Sequence, residues 1–82
     1  MDIIIYSTPG CFYCTQMKEL CKRAEVEYKE HVVEQDITMG EFHKLFPHVA
    51  GFPHVIIDGE EIGGLVDTAK YFIKEGLVSA KK

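Results

Sequence analysis

Cys11 and Cys14, set in Ser7-Thr8-Pro9-Gly10-Cys11-Phe12-Tyr13-Cys14, are the side chains of this chain best suited to chemistry. The apolar run Ile3-Ile4-Ile5-Tyr6 leads into them, and apolar residues at helical spacing follow: Met17, Leu20, Cys21 and Ala24. Two thiols separated by two residues, at the junction of a strand and a helix, suit thiol–disulfide exchange. The first N–H groups of a helix have no partners within it, and the aligned peptide dipoles leave partial positive charge there. A thiol at that place is stabilised as thiolate, the nucleophile of exchange. Cys11 falls at the helix start and Cys14 most of a turn further in. Cys11 is therefore expected to attack a substrate disulfide, and Cys14 to resolve the mixed disulfide by attacking Cys11.

A structural zinc site is the competing use of such a pair, and it needs four ligands in most cases. Cys21 lies seven residues beyond Cys14 on the same helix, about 10.5 Å along the axis, too far to share a metal or a disulfide with it. His43 and His48 follow Cys14 at a gap much longer than zinc-finger spacing. No metal is expected. Cys21 lies on the apolar stripe and reads as a buried core thiol, a small hydrophobe rather than a reactive group.

The elements around the thiols can be read in order. Residues Asp2–Tyr6 form a first strand, apolar without alternation as in a central strand covered on both faces. Pro9 and Gly10 break it, and a helix runs from about Phe12 to Ala24, with Lys18, Glu19, Lys22 and Arg23 turned to water. Glu25–Val33 reads as a second strand, which makes the pair parallel with a crossover helix between. Asp36–Thr38 opens a second helix with a capping box, Thr38 and Glu41, and with Met39, Phe42, Leu45 and Phe46 on its stripe. Gly40 within it predicts a short helix, and Pro47 ends it. After the loop His48–Phe52, Pro53 opens a third strand, Val55-Ile56-Ile57. Asp58-Gly59 is a two-residue hairpin signal, and Glu60–Ile62 returns antiparallel. Gly63-Gly64 breaks that strand. A last helix carries Ala69, Phe72, Ile73 and Leu77 on one face, with Val66 and Tyr71 as a staple around an Asp67 cap. The tail Ser79–Lys82 is expected to fray.

Composition bounds the reading. The 82 residues are 46% hydrophobic and 27% charged with a net charge of −4, which gives no electrostatic pull toward nucleic acid or anionic membrane. No apolar run approaches the roughly 18–20 residues of a membrane span, and the N-terminus lacks the pattern of a signal peptide. Three cysteines cannot all pair within one chain, so a reducing, cytoplasmic setting is the expectation. One domain, 1–82, without repeats or linkers, accounts for the length.

With these elements placed, the sequence resembles the glutaredoxins of dithiol type, in the thioredoxin-like superfamily, over nearly its whole length. Four features carry the resemblance: Tyr6–Cys14 with its Cys-Phe-Tyr-Cys, Gly51-Phe52-Pro53, the Asp58-Gly59 hairpin, and Ile62-Gly63-Gly64 leading to Asp67. It implies an α/β thioredoxin-like fold, β-α-β-α-β-β-α, with a four-stranded mixed sheet, helices on both faces and a cis peptide before Pro53. Most X-Pro bonds are trans, so that last expectation rests on the family alone. It also implies a glutathione-dependent thiol–disulfide oxidoreductase that reduces protein disulfides and glutathione mixed disulfides through Cys11 and Cys14. Glutathione is then the reducing co-substrate, and it lies against Tyr13, Phe52, Pro53, Leu65, Val66 and Asp67. The Phe52 backbone pairs with its peptide, the backbone around Leu65 and Val66 takes its γ-glutamyl carboxylate, and Asp67 accepts from its ammonium or caps the helix. Tyr13 could equally be a plain surface aromatic, and Gly63-Gly64 a plain strand end.

The partners implied are glutathione and disulfide-containing or glutathionylated proteins, with ribonucleotide reductase as a recipient by family habit. A monomer is expected, with no nucleic acid or membrane partner. The sequence departs from the family in three places. Thr8 stands where many glutaredoxins carry a lysine for the glycine carboxylate of glutathione, and Ala50 where many carry a basic residue. Lys44 or His48 are the available substitutes. Phe12 replaces a proline, leaving the helix start less rigid and with one more N–H to offer. Two alternatives follow from these departures: an electron donor served by thioredoxin reductase, and a dimeric carrier of a glutathione-ligated iron–sulfur cluster. The histidines His31, His43, His48 and His54 otherwise read as surface or half-buried polar residues.

Overall fold

The computed structural model describes residues 1–78, and the tail Ser79–Lys82 lies outside them. Seven elements follow one another: β1 (Ile3–Ser7), α1 (Phe12–Ala24), β2 (Lys29–Val32), α2 (Met39–Leu45), β3 (His54–Ile57), β4 (Glu60–Gly63) and α3 (Leu65–Lys74). The strands make one mixed sheet in the order β2-β1-β3-β4, with β1 and β2 parallel and the other neighbours antiparallel. No helix of the described residues is long and apolar enough to cross a membrane.

Strand alternation divides the sheet into two faces. Ile3, Ile5, Val55 and Ile57 point to one side and meet Met17, Cys21 and Ala24 of α1 and Phe72 of α3, all buried. Tyr6 and His54, paired across β1 and β3, point to the other side. There Phe42 of α2 is fully buried among the rings of Tyr6, Phe46, Phe52 and His54, at centroid distances of 4.9–6.1 Å. The helices therefore cover both faces, as the resemblance implied. One face is aliphatic and carries the thiol helix; the other is aromatic and carries the Phe52 loop.

The helix ends follow their side chains. Thr38 and Glu41 form the expected capping box, and α2 is only seven residues long. Of its stripe, however, Leu45 is exposed. Helix α1 closes on Glu25 in a left-handed conformation (φ 59°), whose N–H reaches the Cys21 and Lys22 carbonyls. The chain then needs Val26–Tyr28 to return to the sheet, so β2 begins at Lys29 and not at Glu25.

The start of α3 also differs from expectation. Its N-cap is Gly64, with no side-chain cap, and Asp67 sits in the first turn instead of capping it. Val66 is exposed, so no staple with Tyr71 forms. Thr68 closes the turn, its Oγ1 donating to the Gly64 carbonyl at 2.8 Å.

Candidate active site

Pro9 and Gly10 free the chain from β1, and Gly10 takes a left-handed φ of 73° to turn it into α1. Cys11 becomes the N-cap of α1 in an extended conformation, and its Sγ accepts from the Cys14 N–H at 3.1 Å. The Cys11 carbonyl accepts from the N–H and Oγ1 of Thr15, at 3.2 and 3.3 Å. No acidic residue occupies the first turn of α1, so no carboxylate there opposes negative charge on the Cys11 sulfur. Cys11 and Cys14 are joined as a disulfide with their Cα atoms 5.2 Å apart, the oxidised form of an exchange couple. Cys14 is buried at 2% exposure, whereas Cys11 is half-buried at the surface. A partner approaching from solvent meets Cys11 first.

Three segments far apart in sequence meet beside this pair. Tyr13 of α1, Phe52 and Pro53 of the loop before β3, and Gly64–Asp67 at the start of α3 line an open groove of about 310 Å³. All six residues expected from the resemblance to flank glutathione are thus together, and the Phe52–Pro53 bond is cis. Tyr13 is 60% exposed and Phe12 69%, so the helix start presents two aromatic rings to solvent. At the far end of the groove the first N–H groups of α3 lack a capping side chain, which makes that end receptive to an anion. The Asp67 carboxylate lies over Gly63, where a Cβ would come within 2.5 Å of its Oδ2.

A second cleft, of about 500 Å³, includes Thr8, Cys11, Cys14, Lys18, Glu30 and Gln35 in its lining. Its polar wall went unread in the sequence. Lys18, expected to face water, pairs with Glu30 at 3.2 Å, and the buried Ser7 donates to the same Glu30 oxygen at 2.6 Å. Ser7, Lys18 and Glu30 lie on three different elements, so no local pattern joins them. Cys21 is fully buried, and burial pushes its thiol up to about 11.

Two of the histidines are more than surface polar residues. His54 is buried, and its Nε2 lies 3.0 Å from Glu61 Oε1; His48 Nε2 lies 2.7 Å from the same oxygen. Burial lowers the pKa of His54 against the opposing pull of the Glu61 hydrogen bond and charge. Burial would raise the Glu61 carboxyl, but the hydrogen bonds and charges of His48 and His54 outweigh it and hold that carboxyl below its ordinary value. Lys44 and Ala50 are both exposed, and neither lines the groove. Among the described residues, no group of three or more His, Cys, Asp or Glu side chains is arranged to hold a metal ion.

Comparison with known proteins adds an independent line. The glutaredoxin family model matches residues 3–62. The chain is 39% identical over 69 residues to glutaredoxin 1 of Rickettsia bellii, covering 79% of this chain and 70% of that protein. It is 35% identical over 72 residues to the chloroplastic glutaredoxin-C5 of Arabidopsis thaliana, but spans only 41% of that longer protein. Among solved structures, reduced Escherichia coli glutaredoxin superposes with a TM-score of 0.71 at 27% identity, over 94% of this chain and 98% of that one.

Proposed function

The chain belongs to the glutaredoxin family and is a thiol–disulfide oxidoreductase, and we propose that it takes its electrons from glutathione through Cys11 and Cys14. One observation carries the reading: the N-cap thiol of α1 opens beside a groove whose far end is the uncapped N-terminus of α3. Glutathione fits that groove with its γ-glutamyl carboxylate on the N–H groups around Leu65 and Val66 and its ammonium against Asp67. Its peptide then runs past Tyr13 along the Phe52 backbone, next to Pro53, and its sulfur reaches Cys11.

The reaction follows from these places. The Cys11 thiolate attacks the glutathione sulfur of a mixed disulfide. A Cys11–glutathione disulfide forms, and the substrate leaves as a thiolate that takes up a proton. A second glutathione, as thiolate, attacks the bound glutathione sulfur, giving oxidised glutathione and restoring the Cys11 thiolate. With a protein disulfide, Cys14 loses its proton and attacks Cys11, releasing the reduced substrate and leaving the Cys11–Cys14 disulfide. Two glutathione molecules then reduce that disulfide. The recipients in this reading are disulfide-bonded or glutathionylated proteins, ribonucleotide reductase among them by family habit.

Turnover of a small glutathione mixed disulfide, coupled to glutathione reduction, tests the proposal. Wild type and Cys14→Ser are expected to be active and Cys11→Ser inactive. A wild type inert with glutathione but reduced by thioredoxin reductase refutes the donor. In that case the neutral Thr8 and Ala50 are the residues to change first.

A further inference from the structure

We propose that Glu61, by accepting hydrogen bonds from both His48 and His54, is a positioning residue that sets the Phe52 backbone in the groove. The proposal rests on the glutathione reading above, since the groove is where Phe52 acts. The two imidazoles bracket the loop that carries Phe52: His48 lies four residues before it, and His54 immediately after Pro53. Both Nε2 atoms converge on a single oxygen of Glu61, at 2.7 and 3.0 Å. A carboxylate only accepts, so each ring donates from Nε2 in these two contacts. One strand residue of β4 thereby ties together both ends of a loop that also holds a backbone bond from the Val49 N–H to the Phe46 carbonyl, at 3.2 Å.

The packing makes the tie directional. His54 sits edge-on to Phe46 at 4.8 Å and to Phe42 at 6.1 Å, and Phe42 in turn holds the Phe52 ring at 4.9 Å. The titratable groups facing His54 are Glu61 from β4, His48 from the loop and Tyr6 from β1, with His31 of β2 stacked beyond Tyr6. From α2 and its C-cap it meets the uncharged rings of Phe42 and Phe46. A buried imidazole that loses its acceptor is left with a costly unpaired N–H, and turning it toward water to relieve that cost displaces the chain two residues from Phe52. Register helps to fix the arrangement. The hairpin register sets Ile56 opposite Glu61, and His54 lies two residues before Ile56 on the same face of β3, so that the carboxylate reaches back along the strand to His54.

The test compares wild type, Glu61→Ala, Glu61→Gln and His48→Ala. Glu61→Ala is expected to raise KM for a glutathionylated peptide about tenfold while kcat stays within about twofold, because substrate alignment is lost and the thiols are untouched. Glu61→Gln keeps an oxygen acceptor and is expected to recover KM to within about threefold of wild type. His48→Ala, at an exposed residue, should fall between. Solvent exchange of the Phe52 amide is expected to quicken in Glu61→Ala, a readout independent of turnover. Unchanged KM and unchanged Phe52 exchange in folded Glu61→Ala overturn the proposal, as does a loss confined to kcat. If Glu61→Ala does not fold, Glu61→Gln and His48→Ala decide: wild-type KM and wild-type Phe52 exchange in both overturn it. If wild type itself is inert with glutathione, the functional reading fails, and the Phe52 exchange rates alone then decide the clamp.

Discussion

Replacing Gly63 by alanine probes how the groove holds Asp67. The backbone there has φ 123°, a conformation that residues with side chains rarely adopt. That strain alone costs about 1–3 kcal/mol. The added Cβ would also stand 2.5 Å from Asp67 Oδ2, about 0.9 Å short of the 3.4 Å at which ordinary contact begins. Rotating the carboxylate relieves that contact but not the 3.2 Å approach to Asp67 Cβ, so the start of α3 must shift as well. The melting temperature is expected to fall by about 4–24 °C, the range that such a cost produces in a chain of this size. KM for a glutathione mixed disulfide is expected to rise about tenfold as the carboxylate leaves the place proposed for the ammonium, with kcat little changed. Asp67→Ala supplies the control. It should raise KM by a similar factor, and the double variant should bind no worse than either single one, because both act on one contact. Additive losses of binding in the double variant, or a Gly63→Ala protein with wild-type KM, refute the reasoning.

Two further predictions concern titration and burial. His54 has a lowered pKa in the folded protein, so below about pH 6.5 the unfolded chain takes up protons that the folded one refuses. The stability it contributes is present above that pH and is lost as pH falls through the folded value; Glu61, also lowered, adds to the loss further into acid. Denaturant unfolding measured between pH 8 and pH 5 should show this decline, and His54→Gln should flatten its upper part. Cys21, buried with its thiol pushed up to about 11, should react with iodoacetamide at pH 8 about two orders of magnitude more slowly than an exposed thiol. A Cys11→Ser/Cys14→Ser protein that labels quickly before denaturant is added contradicts the core placement.

Much of the thiol side of the molecule was legible because its signals are local. Pro9-Gly10 and the Met17–Ala24 stripe bound α1, and its observed limits, Phe12 and Ala24, match the periodicity. The same holds for the Thr38–Glu41 box and the Asp58-Gly59 turn. What was misread depends on contacts made across the sheet. Glu25–Tyr28 carries strand-like residues, yet the distance back from α1 to the sheet uses them as connection. Gly64 begins α3 without a side chain to announce it, so the carboxylate of Asp67 looked like the cap. Ser7, Lys18 and Glu30 meet only once β1, α1 and β2 are side by side. The six groove residues were named only through the family resemblance, since nothing in their spacing says that Tyr13, Phe52 and Val66 meet.

The two faces of the sheet divide the work of exchange between them. The aliphatic face fixes α1, because Met17, Cys21 and Ala24 are locked against Ile3, Ile5 and Val55, and that packing holds the Cys11 sulfur at the helix end. The aromatic face fixes the loop, because Phe42 gathers Tyr6, Phe46, Phe52 and His54 around itself. Exchange at sulfur needs both in register, since an attacking thiolate is useful only where the substrate sulfur is delivered in line with it. β1 and β3 supply that register through four consecutive cross-strand pairs, Ile3 with Ile57 through Tyr6 with His54. These pairs run from the aliphatic core to the imidazole that Glu61 holds. A disturbance on either face thus reaches the other along this strand pair. His54, the residue after Pro53, has its Nε2 3.0 Å from Glu61 of β4, so a directional polar contact joins the aromatic ones in setting where the loop enters β3.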